Sequence, residues 1–333
     1  METKDIRKKY SWLGFSYFIF VLMYEAASVA LSLILSDYKD SLRENSWAVY
    51  ALGLLPIWAI GFPICILFLT RIQGEKPEVH DIRPKYMAQF YFITVCFMFT
   101  TNIMGTIVIS ILQGITGLTI ENSTIDLINK QEILPSILFA VIVGPICEEL
   151  AFRKFIIDKV GQYNKRYAIY LSAIMFGLFH TNLHQFFYAT AIGIVFGYIY
   201  TISGKIRYSI ILHMLVNLFS GIVPMAIMKH IDLSVLDSIS SGNLNDPATL
   251  DKAMEIYSNP AFILLLVYFL VEIAFAILGL VFFILNAKRM KVNDSQSPLP
   301  VKGAGKVVFV NVGVILFTIL IIGLTIVEII ALQ

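Results

Sequence analysis

Two adjacent acids, Glu148 and Glu149, interrupt an apolar run that opens at Gly144 and closes at Arg153. On a helix Glu149 and Arg153 stand at i and i+4, share a face and can pair. Glu148 points about 100° away and is left to face a cavity. The pair offsets the cost of the second charge, which makes the free acid, Glu148, the candidate general base. A second apolar segment ends in Phe176-Gly-Leu-Phe-His180, and a third carries His213 and Asn217 at i and i+4. Two histidines and a carboxylate from three helices could hold a water between them. They could equally hold Zn²⁺ at Glu148, His180 and His213, because catalytic zinc sites use two His and one Glu with one position open. Asn217 adds a neutral donor on the His213 face, suited to steady an oxyanion, an effect of about 3–4 kcal/mol in comparable sites. A single His or Asn in a span usually joins helices. Two adjacent acids are a poor way to do that. Cys147, beside Glu148, has no basic partner nearby in sequence and is set aside as a nucleophile. His184 follows His180 by four residues but falls in a short turn and reads as a loop residue.

These residues must be positioned by membrane helices. The 333-residue chain is 58% hydrophobic and 14% charged, with a mean hydropathy of +0.78. Soluble domains are about half apolar and a quarter charged. The apolar excess falls in blocks of about 20 residues, the length that crosses a hydrocarbon core of roughly 30 Å. The expected fold is all-α, a polytopic membrane helix bundle. Nine spans are read, over about 12–36, 47–70, 87–113, 133–155, 167–183, 185–202, 207–228, 260–286 and 307–331. Nineteen Lys and Arg lie in the N-terminal tail and the even-numbered loops. Five (Lys39, Arg43, Lys130, Lys229 and Lys252) lie in the odd-numbered loops. That asymmetry predicts the N-terminus in and the C-terminus out. Three regions follow: an N-terminal three-span region over 1–132, a catalytic four-helix core over 133–228, and an outer loop with two C-terminal spans over 229–333. The outer loop holds a candidate amphipathic helix capped by Asp246 with Pro247 at its first position, and 293–305 reads as a linker. The first span is too long for the apolar core of a signal peptide and is expected to stay uncleaved. Cys65, Cys96 and Cys147 sit in apolar runs and predict no disulfide framework.

A charge at the centre of a span costs about 2.5–3.5 kcal/mol on insertion scales. The ionisable residues within spans are Glu25, Glu148, Glu149, Arg153, His180, His213, Glu272 and Glu328. Five of the eight fall between 148 and 213. Counted along ideal helices, His180 lies about 21 Å beyond Arg166 and His213 about 9 Å beyond Arg207, so one of the two helices must start deeper or tilt.

The ordered set Glu148-Glu149-x-x-x-Arg153, Phe176-x-x-x-His180 and His213-x-x-x-Asn217 resembles the three motifs of the CPBP family of intramembrane proteases. That family includes the CAAX prenyl endopeptidase and bacterial relatives linked to bacteriocin processing and immunity. The resemblance covers about 133–228. It implies that Glu148 deprotonates an attacking water, that His180 binds or orients it, and that His213 and Asn217 stabilise the oxyanion. Glu149 and Arg153 would support them. The family is commonly classed as metalloproteases, and a metal-free scheme is also argued for it. Metal-free chemistry with no required cofactor is preferred here, because the site combines an amide with a carboxylate pair and lacks an HExxH helix; Zn²⁺ at Glu148, His180 and His213 is the other option. The implied partners are a peptide or lipidated peptide and the bilayer, with no nucleic acid, in the plasma (inner) membrane if the source is bacterial. The substrate would be a CAAX-type or a leader or bacteriocin peptide. Two rival classes stand beside this reading. An ion-coupled transporter would use Glu25 and Glu272 as relay groups, but no internal repeat supports it. A non-catalytic scaffold of the same fold would be expected to lose a motif residue, and none is missing. The stripe Ala189-x-x-x-Gly193-x-x-x-Gly197 reads as close helix packing.

Overall fold

The computed structural model describes residues 2–120, 131–231, 254–292 and 298–331; the helix expected from Asp246 lies outside them. The described residues form nine principal helices: α1 (Thr3–Ile34), α2 (Ser46–Leu69), α3 (Pro84–Thr116), α4 (Ile133–Val160), α5 (Lys165–Phe179), α6 (Leu183–Ser203), α7 (Ile206–Met228), α8 (Pro260–Asn286) and α9 (Val312–Ala331). All except α5 are long and apolar enough to cross a membrane, so the protein is an integral, multi-pass membrane protein.

The helix boundaries follow from local chemistry. Asn45, Asn164, Asn182 and Asn259 each stand one residue before a helix, with the side-chain oxygen accepting from backbone N–H groups of the first turn, which satisfies donors that have no partner inside the helix. Pro84 and Pro260 occupy first positions, where a missing N–H costs nothing. The helix α6 stops at Gly204, whose φ of +62° is left-handed, a conformation a glycine adopts without strain.

Eight of the nine expected spans are helices long and apolar enough to cross a membrane, and the fifth, α5, is shorter, at 15 residues. At 1.5 Å per residue it is about 22 Å long, short of the roughly 30 Å core. It ends early because Asn182 is committed to capping α6, and the chain must turn within His180–Asn182. Thr181 makes that turn at φ +52°, a conformation costly for a β-branched residue, of the order of 1–3 kcal/mol. What α5 lacks in length it has in burial: Ala168, Ile169, Leu171, Ser172, Ala173, Met175, Phe176 and Gly177 are all buried.

The main pairings are α1 with α2, α5 with α6, α3 with α8, α1 with α9 and α3 with α6. One apolar core runs through the bundle from α1 (Tyr10, Tyr17, Phe20) to α6 (Phe196, Ile199) and α9 (Phe317, Ile321). The connection from α2 to α3 lies as a strap across the ends of α4, α6 and α7. Glu75 N donates to Asp158 O at 2.7 Å and His80 N to Ser203 O at 2.9 Å. Asp81 accepts from Lys205 Nζ at 2.6 Å, Tyr208 Oη at 2.7 Å and Arg207 Nη2 at 3.1 Å. The hydrogen bonds from Lys205 and Tyr208 hold the Asp81 carboxyl down at about 2.

Candidate active site

Prolines inside spans set the shape of α4 and α7. A proline has no N–H, so in an α register the carbonyl four residues earlier loses its donor. In both helices the chain widens there to i→i+5 bonding: Gly144 N–H reaches Phe139 O, and Val223 N–H reaches Leu218 O. The shift moves the vacancy by one carbonyl. Ala140 O would next be served by residue 145 and Phe219 O by residue 224, and both are proline. Side chains from neighbouring helices supply the missing donors. Asn217 Nδ2 donates to Ala140 O at 2.8 Å, and Tyr268 Oη donates to Phe219 O at 3.1 Å. A second widened turn in α4, Glu149–Lys154, has no proline behind it, and nothing in the sequence explains it. Its carbonyls are also taken by foreign hydroxyls: Tyr17 Oη donates to Ala151 O, and Ser172 Oγ donates to Phe152 O at 2.7 Å.

The candidate residues lie on and around these turns. Glu149 and Arg153 pair as expected, with Arg153 Nε 3.3 Å from Glu149 Oε2 and both side chains fully buried. The contact is ionic and lacks hydrogen-bond alignment. Among the described residues neither Nη of Arg153 has a hydrogen-bond acceptor. The guanidinium instead lies 4.0 Å from the centre of the Phe176 ring and 5.6 Å from that of Phe196. Cation–π attraction reaches about 2 kcal/mol when the cation is desolvated. Room for this comes from Gly193, where a Cβ would stand 3.1 Å from Ala173 Cα and 3.4 Å from Arg153 Nη2. The small-residue stripe therefore packs α6 on α5, as its spacing suggested, and also makes space for the buried cation.

His213, almost fully buried, lies between the two acids. Its Nδ1 is 3.0 Å from Glu149 Oε1, and its Nε2 is 3.6 Å from Glu148 Oε2. An ionised carboxylate only accepts, so Nδ1 carries a proton and Nε2 is turned to Glu148. Glu148 is thus not the unpartnered acid that its place on the helix suggested. It is the more accessible of the two, with its side chain 20% exposed against 0% for Glu149. His180 reaches the cluster through Phe176, whose ring centre is 4.9 Å from that of His180 and 5.8 Å from that of His213. The depth difference counted along the helices is bridged by this ring. Asn217 lies on the His213 helix, with one of its amide donors engaged at Ala140. His184 turns away, its Nε2 3.2 Å from Ile120 O. Glu25, Glu272 and Glu328 lie on α1, α8 and α9, outside the cluster.

Catalytic zinc requires at least three convergent protein ligands. Among the described residues no three His, Cys, Asp or Glu side chains are grouped to hold a metal ion. Glu148, His180 and His213 are not such a group in this arrangement, in which His180 is separated from His213 by the Phe176 ring.

Residues 130–219 match the family model described as Rce1-like, type II CAAX prenyl endopeptidase. A Bacillus subtilis (strain 168) protein named "Putative membrane peptidase YdiL" is 27% identical over 232 residues, which is 66% of this chain and 91% of that protein. The UPF0177 protein YxdF of Lactococcus lactis subsp. lactis (strain IL1403) is 29% identical over 128 residues, 38% of this chain and 71% of that one. No solved structure matches. The matched segment is thus similar to the Rce1-like prenyl endopeptidases, in keeping with the resemblance of its three motifs to the CPBP intramembrane proteases. The matched segment contains every candidate site residue together with Phe176, Gly193 and Phe196. Tyr17 and Tyr268, which serve its widened turns, lie outside it. The sequence signal for Tyr268 and for the contact of Asn217 was a mid-span proline, which implies an orphaned carbonyl nearby. Tyr17 and Ser172 had no such marker.

Proposed function

We propose that the chain is an intramembrane endopeptidase that hydrolyses a peptide bond with a water activated by Glu148. The observation that carries this reading is a single imidazole held between two carboxylates of unequal accessibility. Glu149, fixed by Arg153, sets the orientation of His213 through Nδ1. Glu148, the accessible acid, takes a proton from a water while the water oxygen bonds to the scissile carbonyl carbon. The carbonyl oxygen becomes an oxyanion, and His213 Nε2–H and the second N–H of Asn217 stabilise it. With His213 charged, Glu148, Glu149, Arg153 and His213 sum to zero net charge, which suits a site of low dielectric. Glu148 then returns its proton to the leaving nitrogen as the C–N bond breaks. His180, across Phe176, orients the water. The reading is metal-free, supported by the absence of a grouped set of three metal-ligating side chains among the described residues. The substrate class we infer is a peptide presented at the membrane, either a CAAX-type lipidated C-terminus or a leader or bacteriocin peptide.

The test uses the full chain reconstituted in vesicles, with a farnesylated C-terminal peptide and an unprenylated leader peptide as parallel substrates. General acid–base catalysis contributes about 10²–10⁴-fold, so Glu148→Gln should lose activity by that factor on whichever peptide is cleaved. Equal rates for Glu148→Gln and the unaltered protein would end this reading. Inhibition by a chelator, reversed by Zn²⁺, would end its metal-free form.

A further inference from the structure

A second feature lies at the start of α1, remote from Glu148 and His213. A cleft of about 530 Å³ is lined by Asp5, Lys8, Lys9, Trp12, Arg71 and Ile72. It adjoins a second of about 430 Å³, which shares Lys8 and Trp12 and continues over Phe15, Val312 and Gly313. The two ends differ in chemistry. The first presents three cations against one acid, and among the described residues Lys8, Lys9 and Arg71 form no ion pair. The second is apolar apart from Lys8 and Ser11.

Arg71 is held ready for a ligand. Its guanidinium carbon lies 5.0 Å from the centre of the Trp12 ring and 5.9 Å from that of Phe68. Trp12 is itself fixed, with Nε1 donating to Phe68 O at 2.8 Å. The stacked guanidinium makes no hydrogen bond within the described residues, which leaves its planar donor fork to a ligand. Such forks match phosphate oxygens in a bidentate manner.

The depth is that of the membrane interface. At 32 residues α1 is about 48 Å long, well beyond the roughly 30 Å hydrocarbon core, so its first turns stand among lipid headgroups. Trp12 is the residue type enriched at that level. From Lys8 to Phe15 the cleft descends about 10 Å along the helix, from headgroups into acyl chains.

We propose that this double cleft binds one anionic glycerophospholipid, with the phosphodiester against Lys8, Lys9 and Arg71 and an acyl chain against Phe15 and Val312. Charge complementarity selects the headgroup, and the apolar continuation requires an attached chain.

The full chain, purified in a neutral detergent, is titrated with phosphatidylglycerol and phosphatidylcholine, and bound lipid is read by native mass spectrometry. The unaltered protein should prefer phosphatidylglycerol. A basic residue near an anionic surface contributes about fivefold, so K8Q/K9Q should lower that preference by roughly 25-fold. V312W, which fills the apolar end without changing charge, should weaken binding of both lipids. K288Q/K291Q, an equal charge loss outside the cleft, should leave the preference intact. Millimolar inorganic phosphate should not displace the lipid. The proposal is overturned if the unaltered protein shows no preference or if K8Q/K9Q matches it. It is equally overturned if K288Q/K291Q loses as much, if V312W binds normally, or if phosphate alone displaces the lipid.

Discussion

The pair α5/α6 and the pair α4/α7 are held together in different ways. The helices α5 and α6 keep α-helical bonding along their length, begin at asparagine caps and meet through small residues, with Gly193 against Ala173 and Gly197 against Ile169. The helices α4 and α7 are widened in three turns, and each widened turn has at least one carbonyl bonded to a side chain from another helix. Both acids, His213 and Asn217 lie on the second pair, while the first pair provides Phe176, Phe196 and His180. Regular helices thus serve as a wall of fixed rings, and irregular helices carry the ionisable groups. In hydrocarbon an open backbone carbonyl has no water to turn to. An irregular helix is tolerated there when its neighbours fill the gaps, which ties its position to theirs.

Arg153→Ala attacks the point where the two pairs meet. It leaves Glu149 buried without its cation, and breaking such a pair costs about 3–5 kcal/mol. A large fall in the thermal midpoint of the detergent-solubilised protein is expected; an unchanged midpoint would show that Glu149 draws its support elsewhere. Gly193→Leu strikes the regular pair alone. Forcing a side chain into this α5/α6 contact should cost about 1–3 kcal/mol in the same thermal measurement, and a neutral result would mean the helices separate freely.

The widened pair is tested by a double-mutant cycle. Asn217→Ala removes the donor to Ala140 O and should destabilise the protein by about 0.6–1.7 kcal/mol, the range for hydrogen bonds between membrane helices. Pro145→Ala restores a backbone N–H at that place, so Asn217→Ala should cost measurably less in the Pro145→Ala background. Strict additivity of the two changes would break the link between proline and asparagine. The smallest effect belongs to the strap. The Asp81 carboxyl is held at about 2 against an ordinary 3.8, so its contribution is complete above 3.8 and fades as pH falls toward 2. Protease nicking within 71–83 should rise over that acidic interval, and Asp81→Asn should be nicked at the neutral-pH rate typical of an opened strap, with no further rise on acidification.

The periodicity and charge of the chain determined that it is a membrane helix bundle, because blocks of apolar residues of span length have no other stable home. The Glu149–Arg153 pair was legible too, because its partners share one helix face. Tertiary structure decided the rest. That α5 is shorter than its neighbours depended on the turn at His180–Asn182. That His213 stands between both acids, that Phe176 links the two histidines, and that Asn217 spends a donor on Ala140 depended on contacts between helices. Spacing along one helix constrains direction about its own axis and nothing about the neighbour it will meet. The prolines at 145 and 224 stated that two carbonyls would need donors; only the packed bundle decided that Asn217 and Tyr268 would provide them.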